Sequence, residues 1–218
     1  MEKLADIALK LIRALTWRRV GMIAVIWCFG MVTAFAYLDR DYLLGVIRPS
    51  KLSVDSTPLE MSELKEDEAD QVLESGALAI STIGIVSVDA QANTRRVIYF
   101  KSNDPDIQSA YDGSVAKMVN RNVPLWTDRP EDNRLLIRTL NGETSCRPWA
   151  ESISARYLRD VKTIKEICVV GIPPDGTRFR GMLFFMIRKD LDEDERFRVL
   201  KLLRTTSLKL DSLPNTKD

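Results

Sequence analysis

Histidine is absent from this 218-residue chain. Without it there is no Ser-His-Asp or Cys-His nucleophile pair and no His-ligated zinc. Cysteine is scarce: Cys28, Cys146 and Cys168 are too few for a four-cysteine metal site, and none stands in a C-x-x-C pair. Gly84, Gly113 and Gly171 build no phosphate-binding loop. Net charge is nearly missing too. The 32 Lys and Arg against 31 Asp and Glu leave +1, which gives no reason to invoke nucleic acid. The acidic runs Glu66–Glu68 and Asp192–Glu195 fall where first turns of helices are expected, so they read as helix-dipole partners rather than metal or acid/base sites. Ser145 and Cys146 have no histidine to activate them. The chain reads as a non-enzyme, with no catalytic, cofactor-binding or metal-binding residue.

What is present begins with one apolar run. Val20 to Leu38, VGMIAVIWCFGMVTAFAYL, holds no charged residue in a chain that is 29% charged. Crossing about 30 Å of hydrocarbon at 1.5 Å per residue takes roughly 20 apolar residues, so the run predicts a transmembrane helix. Lys3, Lys10, Arg13, Arg18 and Arg19 precede it, while Asp39, Arg40 and Asp41 follow. The basic flank keeps the N-terminus in the cytoplasm and sends the C-terminal part out. A cleaved signal peptide ending in Ala34–Ala36 is the alternative, but the run and its leader are both longer than that class uses. Residues 1–19 repeat Leu4, Ile7, Ala8, Leu11 and Leu15 at helical spacing, with basic residues mainly off that stripe. They form either an amphipathic helix in the headgroup plane or an extension of the span. Within the span, Ala24 and Cys28, and Gly30 and Ala34, are small residues four apart, a spacing that lets helix backbones of two copies approach.

Residues 39–58 end in RPSKLSVDSTP and read as a linker. Residues 59–218, about 160 in number, suffice for one domain with a real core. Residues after Ser62 predict a helix, with Gly76 denting its end. TIGIVSVDA and RRVIYF alternate around Gln91–Thr94 and predict a hairpin. A helix follows the Asp104-Pro105 start. Arg134–Leu140 reads as a strand ending in an Asn141-Gly142 turn, and residues 147–163 as a helix. Glu166–Ile172 and Gly181–Arg188, joined by Pro-Pro-Asp-Gly, predict a second hairpin; GMLFFMI, apolar on both faces, predicts its central strand. A helix capped by Asp190 or Asp192 closes the chain. This order predicts an α+β fold: an antiparallel sheet of about five strands flanked by helices, a PAS/GAF-like sensor layout. On the exported side Cys146 and Cys168 are either a disulfide, closing a loop of about twenty residues and contributing about 3 kcal/mol, or two separate buried thiols.

The layout, and two stretches of sequence, resemble the T-type holin family of T-even-like phages. EADQVLESGALAISTIGIVSVDAQANTRRVIYFKSNDPD looks like that family's helix and first hairpin. ICVVGIPPDGTRFRGMLFFMIRKDLDEDERFRVLKLL looks like its cysteine-bearing strand, closing hairpin and acidic-started final helix. The family's second cysteine lies in that helix, where residues 190–210 here have none, which leaves Cys146 as the one exported partner for Cys168. The resemblance implies host cell lysis: a holin that oligomerises in the host inner membrane and opens lesions that release the endolysin. It also implies a periplasmic antiholin that restrains timing through the exported domain. The implied partners are the bilayer, further copies of the chain and that antiholin, with no cofactor and no nucleic acid. The alternative reading is a single-pass membrane sensor or adaptor whose extracytoplasmic domain binds a ligand or a protein.

Overall fold

A computed structural model describes residues 22, 25–31, 33, 57–152, 158, 161–176 and 178–215. The chain divides into two compact units, Met1–Ile47 and Arg48–Asp218. In the first, the described residues are helical. Val25, Ile26, Trp27, Phe29 and Met31 are all more than half exposed. Among the described residues no helix is long and apolar enough to cross a membrane. The expected boundaries Val20 and Leu38, the segment 1–19 and the linker up to residue 56 lie outside the described residues.

The second unit is α+β. Helix α1 (Glu63–Glu74) leads through a 3-10 turn into β1 (Ile80–Asp89) and β2 (Thr94–Ser102). Then come α2 (Pro105–Ala110), a π turn (Tyr111–Val115), α3 (Ala116–Val119), β3 (Val123–Pro124) and α4 (Pro130–Leu140). β4 (Ser145–Pro148), β5 (Glu166–Ile172), β6 (Gly181–Ile187) and α5 (Glu193–Ser212) complete the fold. The sheet is antiparallel throughout and ordered β3-β2-β1-β6-β5-β4. It has six strands, not about five. The strands absent from the sequence expectation are the two short ones at its edges, while β6 is central as expected.

Both faces of the sheet are covered, and strand alternation sorts the side chains between them. Leu183, Phe185 and Ile187 of β6, with Cys168, Val170 and Ile172 of β5, face the core under α1 and α5. Met182, Phe184 and Met186, with Ile167 and Val169, face a second core under α2–α4. Every residue of β5 and β6 is buried, so their runs read as continuous apolar segments. In β2 the alternation breaks once. Ile85 pairs with Tyr99 but Val86 pairs with Val97, leaving Ile98 as a bulge that turns Phe100 to the second face with Val97.

Three sequence readings change. Arg134–Leu140 is not a strand but most of helix α4, which starts with Pro130 at its first turn and carries Glu131 and Asp132 there. The Leu135-Leu136-Ile137 run fits a buried strand equally well, but Leu136 and Leu140 lie one helical turn apart and are both buried. Gly142, at φ +80°, ends that helix rather than turning a hairpin. The expected helix 147–163 also begins differently. Arg147 and Pro148 pair with Ile167 and Glu166 in β4, and Trp149–Glu151 form a 3-10 turn. Residues 153–157, 159 and 160 of that stretch lie outside the described residues.

Helix α5 starts with a reciprocal capping box. Glu195 N–H donates to Asp192 Oδ1 at 2.7 Å, and Glu195 Oε2 accepts from Asp192 N–H at 3.4 Å. The far end of α5 is tied to the start of the domain. Ser62 Oγ donates to Pro214 O at 2.9 Å, and Lys65 Nζ donates to Asn215 Oδ1 at 2.6 Å and Glu60 O at 2.9 Å. Arg180 pairs with Asp211 at 3.3 Å, and Leu59 N–H reaches Arg180 O.

Candidate functional site

The second core is not filled. Between the sheet and helices α2–α4 lies a cavity of about 240 Å³. Its floor is Val86, Val97, Phe100, Val169, Met182 and Phe184 from four strands, and its walls are Tyr111, Val115, Leu135 and Leu136 from the helices. Gly84 makes the floor possible. It stands opposite both Phe100 and Phe184 in the ladders, and a Cβ at Gly84 would lie within 2.7 Å of three atoms of the Phe184 ring. The ring lies over the backbone where a side chain would otherwise stand. Phe100 in turn stacks on Tyr111, with ring centroids 3.8 Å apart and 8° between planes. Burial pushes the Tyr111 phenol up to about 12, and its hydroxyl donates to Asn120 Oδ1 at 2.6 Å.

Four polar residues stand among this apolar lining: Arg95, Arg96, Asp132 and Arg147, of which Arg96 is exposed. Asp132 is 5% exposed. Burial raises its pKa above the ordinary carboxylate value, against the pull of Arg95, Arg129 and Arg147. Arg147 extends from edge strand β4. Burial pulls its pKa down, opposed by Asp132 and Glu151. Its Nε is buried and has no hydrogen-bond partner among the described residues. A guanidinium N–H out of water and unpaired is costly, which marks the place where an acceptor fits. None of these four residues stands out in the sequence. They come from β2, α4 and β4, and nothing in their local spacing sets them apart from other charged positions.

The residues singled out from the sequence lie elsewhere. Cys146 and Cys168 face each other across β4 and β5 and are joined as a disulfide, with Cα atoms 4.0 Å apart. Among the described residues the one group of candidate metal ligands is Cys146, Glu166 and Cys168, and the disulfide takes both sulfurs. Glu166 has its own partners: Oε1 accepts from Arg196 at 2.7 Å and from Leu191 N–H at 3.2 Å. Cys28 and Gly30 are helical, Cys28 is exposed and free, and a Cβ at Gly30 meets nothing within 4 Å among the described residues. Ala24 and Ala34 lie outside the described residues.

No family model and no curated protein matches the chain. Solved structures similar to it include GAF domains. One belongs to a GAF domain/HD domain protein from Geobacter sulfurreducens, at 12% identity and TM-score 0.47, covering 74% of this chain and 94% of that one. Another belongs to a two-component sensor histidine kinase from Bacillus halodurans, at 11% identity and TM-score 0.46, covering 67% and 92%. At this degree of likeness neither bears on the chemistry of the cavity.

Proposed function

We propose that the chain is a phage holin. It accumulates and oligomerises in the host inner membrane and opens lesions that release the endolysin, with timing set through the C-terminal domain by a periplasmic antiholin. Two features support this reading. Val20–Leu38 is an uncharged run of spanning length behind a basic flank. The domain beyond it carries the Cys146–Cys168 disulfide, a bond that persists in oxidising compartments; this is the observation that carries the exported placement.

One span with no charge lines no wide hole, so a lesion requires many copies side by side. Gly30→Leu keeps the run uncharged and replaces the smallest residue of the Gly30–Ala34 spacing by a large one, so a delay in lysis would report on close packing between copies. The test is inducible expression in a bacterium. Abrupt loss of membrane potential after a delay is the expected outcome, postponed in Gly30→Leu at equal protein level. Quiet accumulation of the wild-type chain overturns the reading. A second reading, a single-pass sensor or adaptor, is favoured by one observation, the unfilled cavity with the buried, unpartnered Nε of Arg147 among the described residues. Quiet accumulation is the outcome it requires.

A further inference from the structure

We infer that the cavity under α2–α4 is a binding site for a small amphipathic monocarboxylate, its apolar body against the Phe184 and Phe100 rings and its carboxylate on Arg147. The inference rests on the cavity itself. It deepens the sensor reading by naming a ligand class, and it holds whether or not the chain lyses cells.

The volume sets the size. At about 240 Å³ the cavity falls below the 300–1,000 Å³ of sites for drug-sized ligands, so one ring system or one short chain fills it. Aromatic and aliphatic side chains make up most of the lining, which selects an apolar body. The polar groups select the head. Arg147 brings a fixed positive charge into the lining beside Asp132, so a head with acceptor oxygens fits there and a second cation does not. The guanidinium fork matches a carboxylate's two oxygens, and the buried Nε of Arg147 is the donor without a partner among the described residues. Asp132 sets the upper limit on charge. It is close enough to Arg147 for each to shift the other's titration, so a dianionic phosphate seated on Arg147 would stand against a carboxylate. The disulfide contributes rigidity. It joins Cys146, the residue before Arg147, to β5, pinning the edge strand that carries the anchor.

The test is isothermal titration of the full chain in lipid nanodiscs with 2-naphthoate, its neutral isostere 2-naphthamide, and the dianion 2-naphthyl phosphate, with empty nanodiscs as the blank. The expected result is saturable one-to-one binding of naphthoate, with naphthamide and the phosphate at least ~10-fold weaker, the factor that a charge-assisted hydrogen bond supplies. Arg147→Met should weaken naphthoate by a similar factor and leave naphthamide unchanged, and Arg147→Lys should fall between. Equal affinity for naphthoate and naphthamide overturns the inference without recourse to any variant. So does the absence of saturable naphthoate binding, or an Arg147→Met chain with wild-type thermal unfolding that binds naphthoate as tightly as wild type.

Discussion

Replacing Gly84 by alanine places a methyl group where the Phe184 ring already lies. The new Cβ would stand within 2.7 Å of three ring atoms, closer than real Cβ contacts come. Gly84 sits in β1, paired on both sides, so its backbone has little room to retreat. The ring must move, and the room it has is toward the cavity, at the expense of its packing on Phe100, whose centroid is 6.4 Å away. Overpacking of this kind costs ~1–3 kcal/mol. Disturbing the tilted Phe100–Phe184 pair costs up to ~1.5 kcal/mol more. Removing a strand glycine returns ~0.5–1 kcal/mol. The net expectation is a loss of ~2 kcal/mol, which for a domain of this size lowers Tm by ~4–8 °C. Thermal unfolding of the full chain followed by circular dichroism measures it. The control is Phe184→Leu. Because the two side chains compete for one space, the double variant should be less destabilised than the sum of the single ones, by ~1 kcal/mol. A Gly84→Ala chain as stable as wild type, or strict additivity with Phe184→Leu, would refute the account of the cavity floor.

Further expectations concern the rest of the domain. Cys146→Ser with Cys168→Ser opens a loop of sequence separation 22 and should cost about 3 kcal/mol; a denaturation midpoint that ignores both the substitutions and added reductant would contradict this. Asp192→Ala removes the capping box of α5 and should cost ~1 kcal/mol, seen as a lower denaturant midpoint at unchanged slope. Asp132 is buried with its pKa raised above 3.8, so the folded state holds its proton more tightly than the unfolded chain does. Stability is therefore lost as pH rises from the unfolded value through the folded one, and stays lost above it. Asp132→Asn should gain on wild type across that window and keep the gain at neutral pH; a constant difference between the two Tm-against-pH curves would contradict the assignment.

Both hairpins are legible in the sequence because their signal is local. β-branched and aromatic residues alternate through β1 and β2, and turn residues separate the strands. β5 and β6 read as unbroken apolar runs around Pro-Pro-Asp-Gly. The final helix shows its acidic start and its Asp192 cap. The edges of the sheet are not legible. Val123–Pro124 is too short to show any period, and β4 is held by pairing with Ile167 and Glu166 rather than by its own composition. Helix α4 is ambiguous in sequence because Leu135-Leu136-Ile137 satisfies a buried strand as well as a helix, and Pro130 with the acids after it is the better clue. The cavity is the least legible feature of all. Its polar groups come from three different elements, and a half-buried arginine looks like any other in a chain this rich in charge.

Where the chain enters the domain and where it leaves are fastened to each other. Ser62 holds Pro214, Lys65 holds Asn215, and Leu59 hangs on Arg180, which itself grips Asp211. Mechanically this is a buckle. Tension arriving from the residues before Thr57 meets these bonds first and passes into α1 and α5 together, the two helices over one face of the sheet. The sheet shares that load at once, because Arg180 stands directly before β6 and its carbonyl also accepts from Val88 N–H of β1 at 2.9 Å.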